Sequence, residues 1–202
     1  MKNTFGNSLT LTLFGESHGD FIGAVIDGIS PGVKISHDAI KAALEKRRPK
    51  GKASTSRVEA DEYKIISGEL AGYTTGAPLT ILIPNENKKS ADYSEIKNTP
   101  RPSHADYAAE MKYLGYQDRR GGGHFSGRIT AALVAAGGIL MPMLESKGIH
   151  IGTHIVRLGD ATERGFEDVS KDIAVLKKVD FPALSLEAKE NMLRCAEAAR
   201  EM

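Results

Sequence analysis

Between Arg119 and Arg128 the chain reads Arg119-Arg120-Gly121-Gly122-Gly123-His124-Phe125-Ser126-Gly127-Arg128. Three consecutive glycines interrupt any regular element, since glycine alone enters left-handed backbone without steric cost. The stretch beyond, Ser126 to Lys147, is rich in Ala and Gly. It predicts a long central helix that neighbouring elements approach closely. A glycine-rich loop opening a helix offers bare N–H groups and a positive dipole end, which suits a phosphate or an electron-rich cofactor edge. Two familiar phosphate motifs are excluded. A P-loop would need Lys and then Ser or Thr where Arg128 and Ile129 stand, and Ser126 occupies the third glycine position of the dinucleotide fingerprint.

Upstream, Leu9, Leu11 and Leu13 alternate with Thr10 and Thr12, predicting a strand that ends at Phe14 and Gly15. Ile22–Asp27 reads as a second strand, and Tyr63–Ser67 and Leu79–Ile83 as two more. Ser36 is placed to cap a helix carrying Ile40, Ala43 and Leu44, which Pro49 and Gly51 end. Asn85 to Ser103 is polar, holds Pro100 and Pro102, and reads as a loop. A short helix then places Tyr107, Met111 and Leu114 on one face up to Gly115. Alternation of Ile149, Ile151, Thr153 and Ile155 predicts another strand, with His150 and His154 on its polar face. Ser185 marks the cap of a final helix carrying Leu186, Met192, Leu193, Ala196 and Ala199. That helix still runs at Met202 without a closing glycine, the pattern of a chain cut within a larger fold.

Charge is balanced overall, +1 from 27 basic and 26 acidic residues, which argues against a dedicated nucleic-acid binder. Locally it is not. Lys41, Lys46, Arg47, Arg48, Lys50, Lys52 and Arg57 face only Glu45 within 17 residues of chain, about one helix and its loop. Such a cluster fits an anionic partner, a phosphate or carboxylate, or else a solvated helix end. The single cysteine, Cys195, permits no disulfide within a chain and fits a reducing cytoplasm. The N-terminus lacks the apolar core of a signal peptide. The apolar stretch Ile129–Leu144 carries Gly137, Gly138 and Pro142 and reads as too short to span a bilayer, so neither a membrane nor a nucleic-acid partner is expected.

Two histidines sit in stiff or glycine-flanked turns. Gly15-Glu16-Ser17-His18-Gly19 matches the G-x-S-x-G elbow of serine hydrolases, but the elbow requires a following helix where Phe21–Ile26 reads as extended. It leaves His18 as a proton donor where backbone can approach a ligand, or as a structural turn residue. Arg101-Pro102-Ser103-His104-Ala105-Asp106 holds His104 at the start of the next helix, again a proton donor or a helix-start residue with Ser103 as cap.

Taken in order, these segments resemble the chorismate synthase family: Gly15–Gly19 followed by Val25-Ile26-Asp27-Gly28, then Lys46-Arg47-Arg48-Pro49, Thr74-Thr75-Gly76-Ala77-Pro78, Asp92-Tyr93-Ser94, Arg101–Tyr107 and Arg120–Arg128. Departures are Ser103 for the family's glycine, His124-Phe125 for a polar pair, Ser126-Gly127-Arg128-Ile129-Thr130 for Ser-Ala-Arg-Glu-Thr, and a loop one residue short near Lys50-Gly51-Lys52. The resemblance implies an α+β fold over residues 1–202 as a single domain, a β-α-β sandwich with antiparallel sheets around central helices, incomplete at its C-terminus. It implies 1,4-elimination of phosphate from 5-enolpyruvylshikimate 3-phosphate to give chorismate, with reduced FMN as cofactor, NADPH as a candidate reductant, no metal, and a cytoplasmic homotetramer. By the same resemblance His18 and His104 are catalytic, and His124, Phe125 and Ser126 hold the flavin. Ser17, Arg47, Lys52 and Arg128 hold phosphate or carboxylate. A noncatalytic FMN- or anion-binding fragment of the family is the alternative, and little turnover is expected of a chain this short.

Overall fold

The computed structural model describes residues 2–49, 59–86 and 99–201. They form two units, one from residues 2–48 and 59–140, the other from Pro49 and residues 141–201. In the first, β1 (Thr4–Gly6), β2 (Thr10–Gly15), β3 (Phe21–Asp27), β4 (Lys64–Ser67) and β7 (Leu79–Pro84) make an antiparallel sheet in the order β1-β2-β3-β7-β4. β5 (Glu69–Leu70) and β6 (Tyr73–Thr74) pair as a separate hairpin. Period-two patterning sets the register. Ile22, Ala24 and Ile26 of β3 face Ile83, Ile81 and Leu79 of β7, and all six are buried. A slip of one residue would expose the whole set. The expected strands at residues 9–14, 22–27, 63–67 and 79–83 are all present within a residue or two.

Helix α1 (His37–Arg47) begins where Ser36 Oγ accepts from the Ala39 N–H at 3.2 Å, and it buries Ile40 and Leu44. Helix α2 (Asp106–Tyr113) departs from expectation. Its supposed core face is exposed, Tyr107 by 65%, Met111 by 61% and the capping Leu114 by 78%, while Ala109 is its buried residue. Spacing alone does not reveal which side of so short a helix meets the protein. Ser126 caps a 3-10 turn over Gly127–Ile129, and α3 (Thr130–Glu145) follows. Its Ala131, Ala132, Ala135, Ala136 and Gly138 are buried, as the small-residue pattern implies for a closely approached helix. A Cβ on Gly138 would stand 2.7 Å from Ile40 Cα, so the two helix backbones touch there. By length and composition Gly127–Glu145 does reach the size of a membrane span, a correction to its reading as too short. Its buried alanines are those of a core helix.

In the second unit the alternating segment 149–155 is not a strand. Alternation supplies a period, but a strand also needs a ladder partner. Here the Ile149 N–H donates to Leu144 O and the Ile155 N–H to Pro182 O, while Ile149 and Ile151 are half exposed. A two-residue hairpin, β8 (Arg157–Leu158) with β9 (Ala161–Thr162), comes next. Helix α4 (Val169–Leu176), absent from the sequence reading, starts where Asp168 Oδ1 accepts from the Lys171 N–H at 3.1 Å. Helix α5 (Leu186–Glu201) is capped by Ser185 as expected. Its Ala188 and Met192 join Ala183 in a small core with Ile155, Leu158, Ala161 and Phe181.

Two neighbouring glycines test the helix contact. Gly138→Val should destabilise by about 1–3 kcal/mol through overpacking against α1. Gly137→Ala, with open space around it, should be neutral or stabilise by up to about 1 kcal/mol. Equal urea midpoints for the two variants would show that α3 does not bear on α1 at Gly138.

Candidate functional site

A cavity of about 400 Å³ in the first unit is walled by the loop around Thr99–Asp106, by Ala109 and Glu110 of α2, and by the glycine-rich turn up to Gly127. Gly121, Gly122 and Gly123 all have positive φ, 59°, 92° and 55°, a path that side-chain-bearing residues rarely follow. Bareness is also required sterically. A Cβ on Gly121 would lie 2.1 Å from His18 Cε1, and one on Gly123 would lie 2.0 Å from the Asp118 carbonyl. The turn from β2 to β3 therefore packs its imidazole on bare glycine backbone of the cavity wall.

Partners assign the imidazole tautomers. His104 Nδ1 donates to Pro102 O at 3.0 Å and His124 Nδ1 to Gly15 O at 2.8 Å, because a carbonyl only accepts. The buried Ser17 hydroxyl donates its one hydrogen to Arg120 O at 3.2 Å, so its 3.0 Å contact with His18 Nδ1 is donation from the ring. In His104 and His124 a carbonyl thus fixes the proton on Nδ1. The His104 turn is itself clamped. Arg101 grips Asp106 with two parallel bonds, Nε–Oδ2 at 2.7 Å and Nη2–Oδ1 at 2.9 Å, and the Arg101 N–H adds a third at 3.0 Å. That guanidinium holds the Asp106 carboxyl down at about 2. Arg120 likewise lowers Asp118 in the opposite wall.

Beneath the wall lies an ionic network. Asp61, 5% exposed and left-handed at φ 53°, is shared by two arginines. Arg128 Nη1 meets its Oδ1 in a pair exposed by only 3% and 1%, while Arg47 Nη1 reaches Oδ2 at 3.4 Å from a side chain 21% exposed. Arg128 also donates to Asn85 Oδ1 at 2.8 Å and Pro84 O at 3.0 Å, and its backbone N–H to Ser126 Oγ at 3.2 Å. Arg47 donates to Gly127 O at 3.1 Å and Thr130 Oγ1 at 3.3 Å. Asn85 closes the circuit, its amide giving one bond each to Glu16 O and Gly19 O at 2.9 Å, the two ends of the His18 turn.

The structure brings His104, Phe125 and Ser126 together on the cavity. Ser17, His18 and His124 lie against its glycine wall from the β2 side. Phe125 is 42% exposed and meets Tyr113 edge-on at 5.9 Å. Arg128, expected to hold phosphate or carboxylate, has its guanidinium turned inward onto Asp61, Asn85 and Pro84. Ser103 does not cap α2; the capping position is Ala105, with no side-chain bond. Lys52 lies outside the described residues. Among those residues no cluster of three or more His, Cys, Asp or Glu is arranged to hold a metal. Sequence reasoning passed over Asp61 and Asn85, which carry no motif. It also passed over the Arg101–Asp106 clamp, for which the five-residue spacing about His104 is a usable signal.

The α+β scaffold gathers a glycine-rich turn and histidine-bearing turns around one polar cavity, the form of a candidate small-molecule site. A family model described as Chorismate synthase matches residues 9–202, and the chain belongs to that family. The chorismate synthase of Pyrococcus abyssi (strain GE5 / Orsay) is 50% identical over 154 residues, 76% of this chain and 43% of that protein. That of Aeropyrum pernix is 41% identical over 202 residues, 98% of this chain and 53% of its own. The chain spans about half the length of the curated relatives it matches. A crystal structure of a chorismate synthase aligns with a TM-score of 0.67 at 24% identity, covering 96% of this chain and 53% of its own, a likeness of fold.

The clamp has a pH signature. Because the folded value of Asp106 lies below the ordinary carboxylate range, its contribution to stability is complete above about pH 4. It fades as pH falls through about 2. Thermal melts of wild type and Asp106→Asn should differ at pH 6 and converge near pH 2. A gap that stays constant across that window would refute the clamp.

Proposed function

We propose that this chain carries the histidine-bearing part of a chorismate synthase active site, eliminating phosphate from 5-enolpyruvylshikimate 3-phosphate. The observation that carries the reading is the cavity between the clamped His104 turn and the glycine wall backed by His18, in a chain of this family. The residues present fit a flavin. A cavity of about 400 Å³ suits a planar ring system, the bare glycine backbone allows close approach, and Phe125 offers an aromatic edge. His124, Phe125 and Ser126 would hold FMN, which when bound and reduced supplies transient electron density that helps the phosphate leave.

The protein's part is proton handling and charge neutralisation. With Nδ1 tied to Pro102 O, His104 offers an Nε2 proton to the departing phosphate oxygen, a general-acid role that needs a pKa near working pH. His18, with Nδ1 tied to Ser17, uses Nε2 to govern protonation at substrate or cofactor. Ser17, Arg47 and Lys52 would bind the substrate's anionic groups. Arg128 contributes by fixing the Ser126–Gly127 wall. The working form is a cytoplasmic homotetramer, with NADPH as a candidate reductant of the flavin.

A second reading is FMN or anion binding without turnover, which the cavity and its bare glycine wall would equally serve. An anaerobic assay with reduced FMN and 5-enolpyruvylshikimate 3-phosphate separates the two. Chorismate formation supports the first, flavin binding without chorismate supports the second, and neither result sinks both. Where chorismate forms, His104→Ala and His18→Ala should each lower the rate by roughly 10²–10⁴-fold with the fold intact. Near-wild-type rates at saturating reduced FMN would remove both histidines from the chemistry.

A further inference from the structure

Beside the histidines and the aromatic edge, the cavity wall holds an acceptor that the protein leaves unused. Helix α2 ends at Tyr113, and Leu114 at φ 56° and Gly115 at φ 83° turn the chain. Glu110 packs over that turn, since a Cβ on Gly115 would stand 3.1 Å from Glu110 Oε1. Gln117 and Arg119 follow, and both line the cavity together with Glu110. One oxygen of Glu110 takes both neighbours. Gln117 Nε2 donates to Oε2 at 2.7 Å, and Arg119 Nη2 pairs with the same oxygen. A carboxylate only accepts, so the amide must present its nitrogen to Glu110, and its oxygen is the end turned away. That Oε1 is buried and has no hydrogen-bond partner among the described residues. Buried polar atoms are almost always paired, so an orphaned acceptor in a ligand cavity calls for a donor from outside the chain.

We infer that Gln117 is a specificity-determining residue of the cavity, its Oε1 accepting a hydrogen bond from an N–H or O–H of the bound ligand. The inference rests on the reading that this cavity, which Gln117 shares with Phe125 and Ser126, takes a flavin. An oxidised flavin carries two kinds of donor, the imide N–H of its ring and the hydroxyls of its ribityl chain. Its ring carbonyls, being acceptors, are repelled by Oε1, so the contact selects which part of the ligand lies against Gln117. Glu110 and Arg119 keep the amide from turning over to suit the opposite edge.

The test is fluorescence titration of wild type and Gln117→Met with oxidised FMN, N3-methyl-FMN, and lumiflavin, which lacks the ribityl chain. Methionine keeps the length of the side chain and removes the acceptor. Gln117→Met should bind FMN about three- to tenfold more weakly. The other two ligands identify the donor. With the imide as donor, lumiflavin suffers the same loss and N3-methyl-FMN none. With a ribityl hydroxyl as donor, N3-methyl-FMN suffers it and lumiflavin none. Equal loss for all three ligands marks a residue that merely shapes the wall, and no loss for FMN marks an oxygen the ligand does not use. Either result overturns the inference, as does a failure of every flavin to bind wild type. Should Gln117→Met fail to fold, wild type decides by ligand alone. N3-methyl-FMN binding as tightly as FMN, together with lumiflavin binding as tightly as riboflavin, would overturn it; a loss of about three- to tenfold in one comparison upholds it. Turnover is read separately. Flavin affinity that depends on Gln117, without chorismate, removes the chorismate synthase reading and leaves the role of Gln117 standing. Chorismate formation with flavin affinity indifferent to Gln117 does the reverse.

Discussion

One buried carboxylate underlies the arrangement of the candidate site. Asp61 carries a charge at 5% exposure, and two guanidinium groups neutralise it. Those groups come from the end of α1 and the 3-10 turn that leads into α3, elements far apart in sequence. Satisfying Asp61 therefore places them together, with Asn85 from the end of β7. Once Arg128 is so held, its own N–H and the Ser126 hydroxyl define where the glycine-rich turn must end.

The glycine wall and the His18 turn depend on each other in the same way. Left-handed backbone at Gly121 and Gly123 costs little, but it is useful only if something occupies the space a side chain would fill. The imidazole of His18 and the Asp118 carbonyl do so. Asn85 then spends both amide hydrogens on the His18 turn and receives Arg128 on its oxygen. A fully satisfied buried amide of this kind stiffens what it joins. The His104 turn is restrained independently, by Arg101 and Asp106, so the two histidine turns are held by separate devices.

The arrangement also separates residues that present chemistry from residues that hold them. His104, Phe125 and Ser126 reach the cavity; Arg128, Asp61, Asn85 and Asp106 keep its walls in place. Arginine is suited to both tasks because its planar fork matches a carboxylate of the protein as well as one of a ligand. Residue type therefore does not reveal that Arg128 serves the wall; its burial and its protein acceptors do.

From sequence alone, the period-two strands, the Ser36 and Ser185 caps, the small-residue helix and the family were legible, because each rests on neighbours in the chain or on motifs in a fixed order. The histidine turns were legible for the same reason: glycine and proline announce them locally. What escaped depends on contacts across the chain. The alternation at 149–155 looked like a strand, yet without a ladder partner it pairs with Leu144 and Pro182 instead. The apolar side of α2 could be counted, but not whether anything covers it. Asp61 and Asn85 lie in no motif and gain their importance only when folding brings Arg47 and Arg128 to one carboxylate. Neighbours in the chain made most of the local elements and the family readable; folding settled which charges are buried together, since desolvation acts on neighbours in space and not on neighbours in sequence.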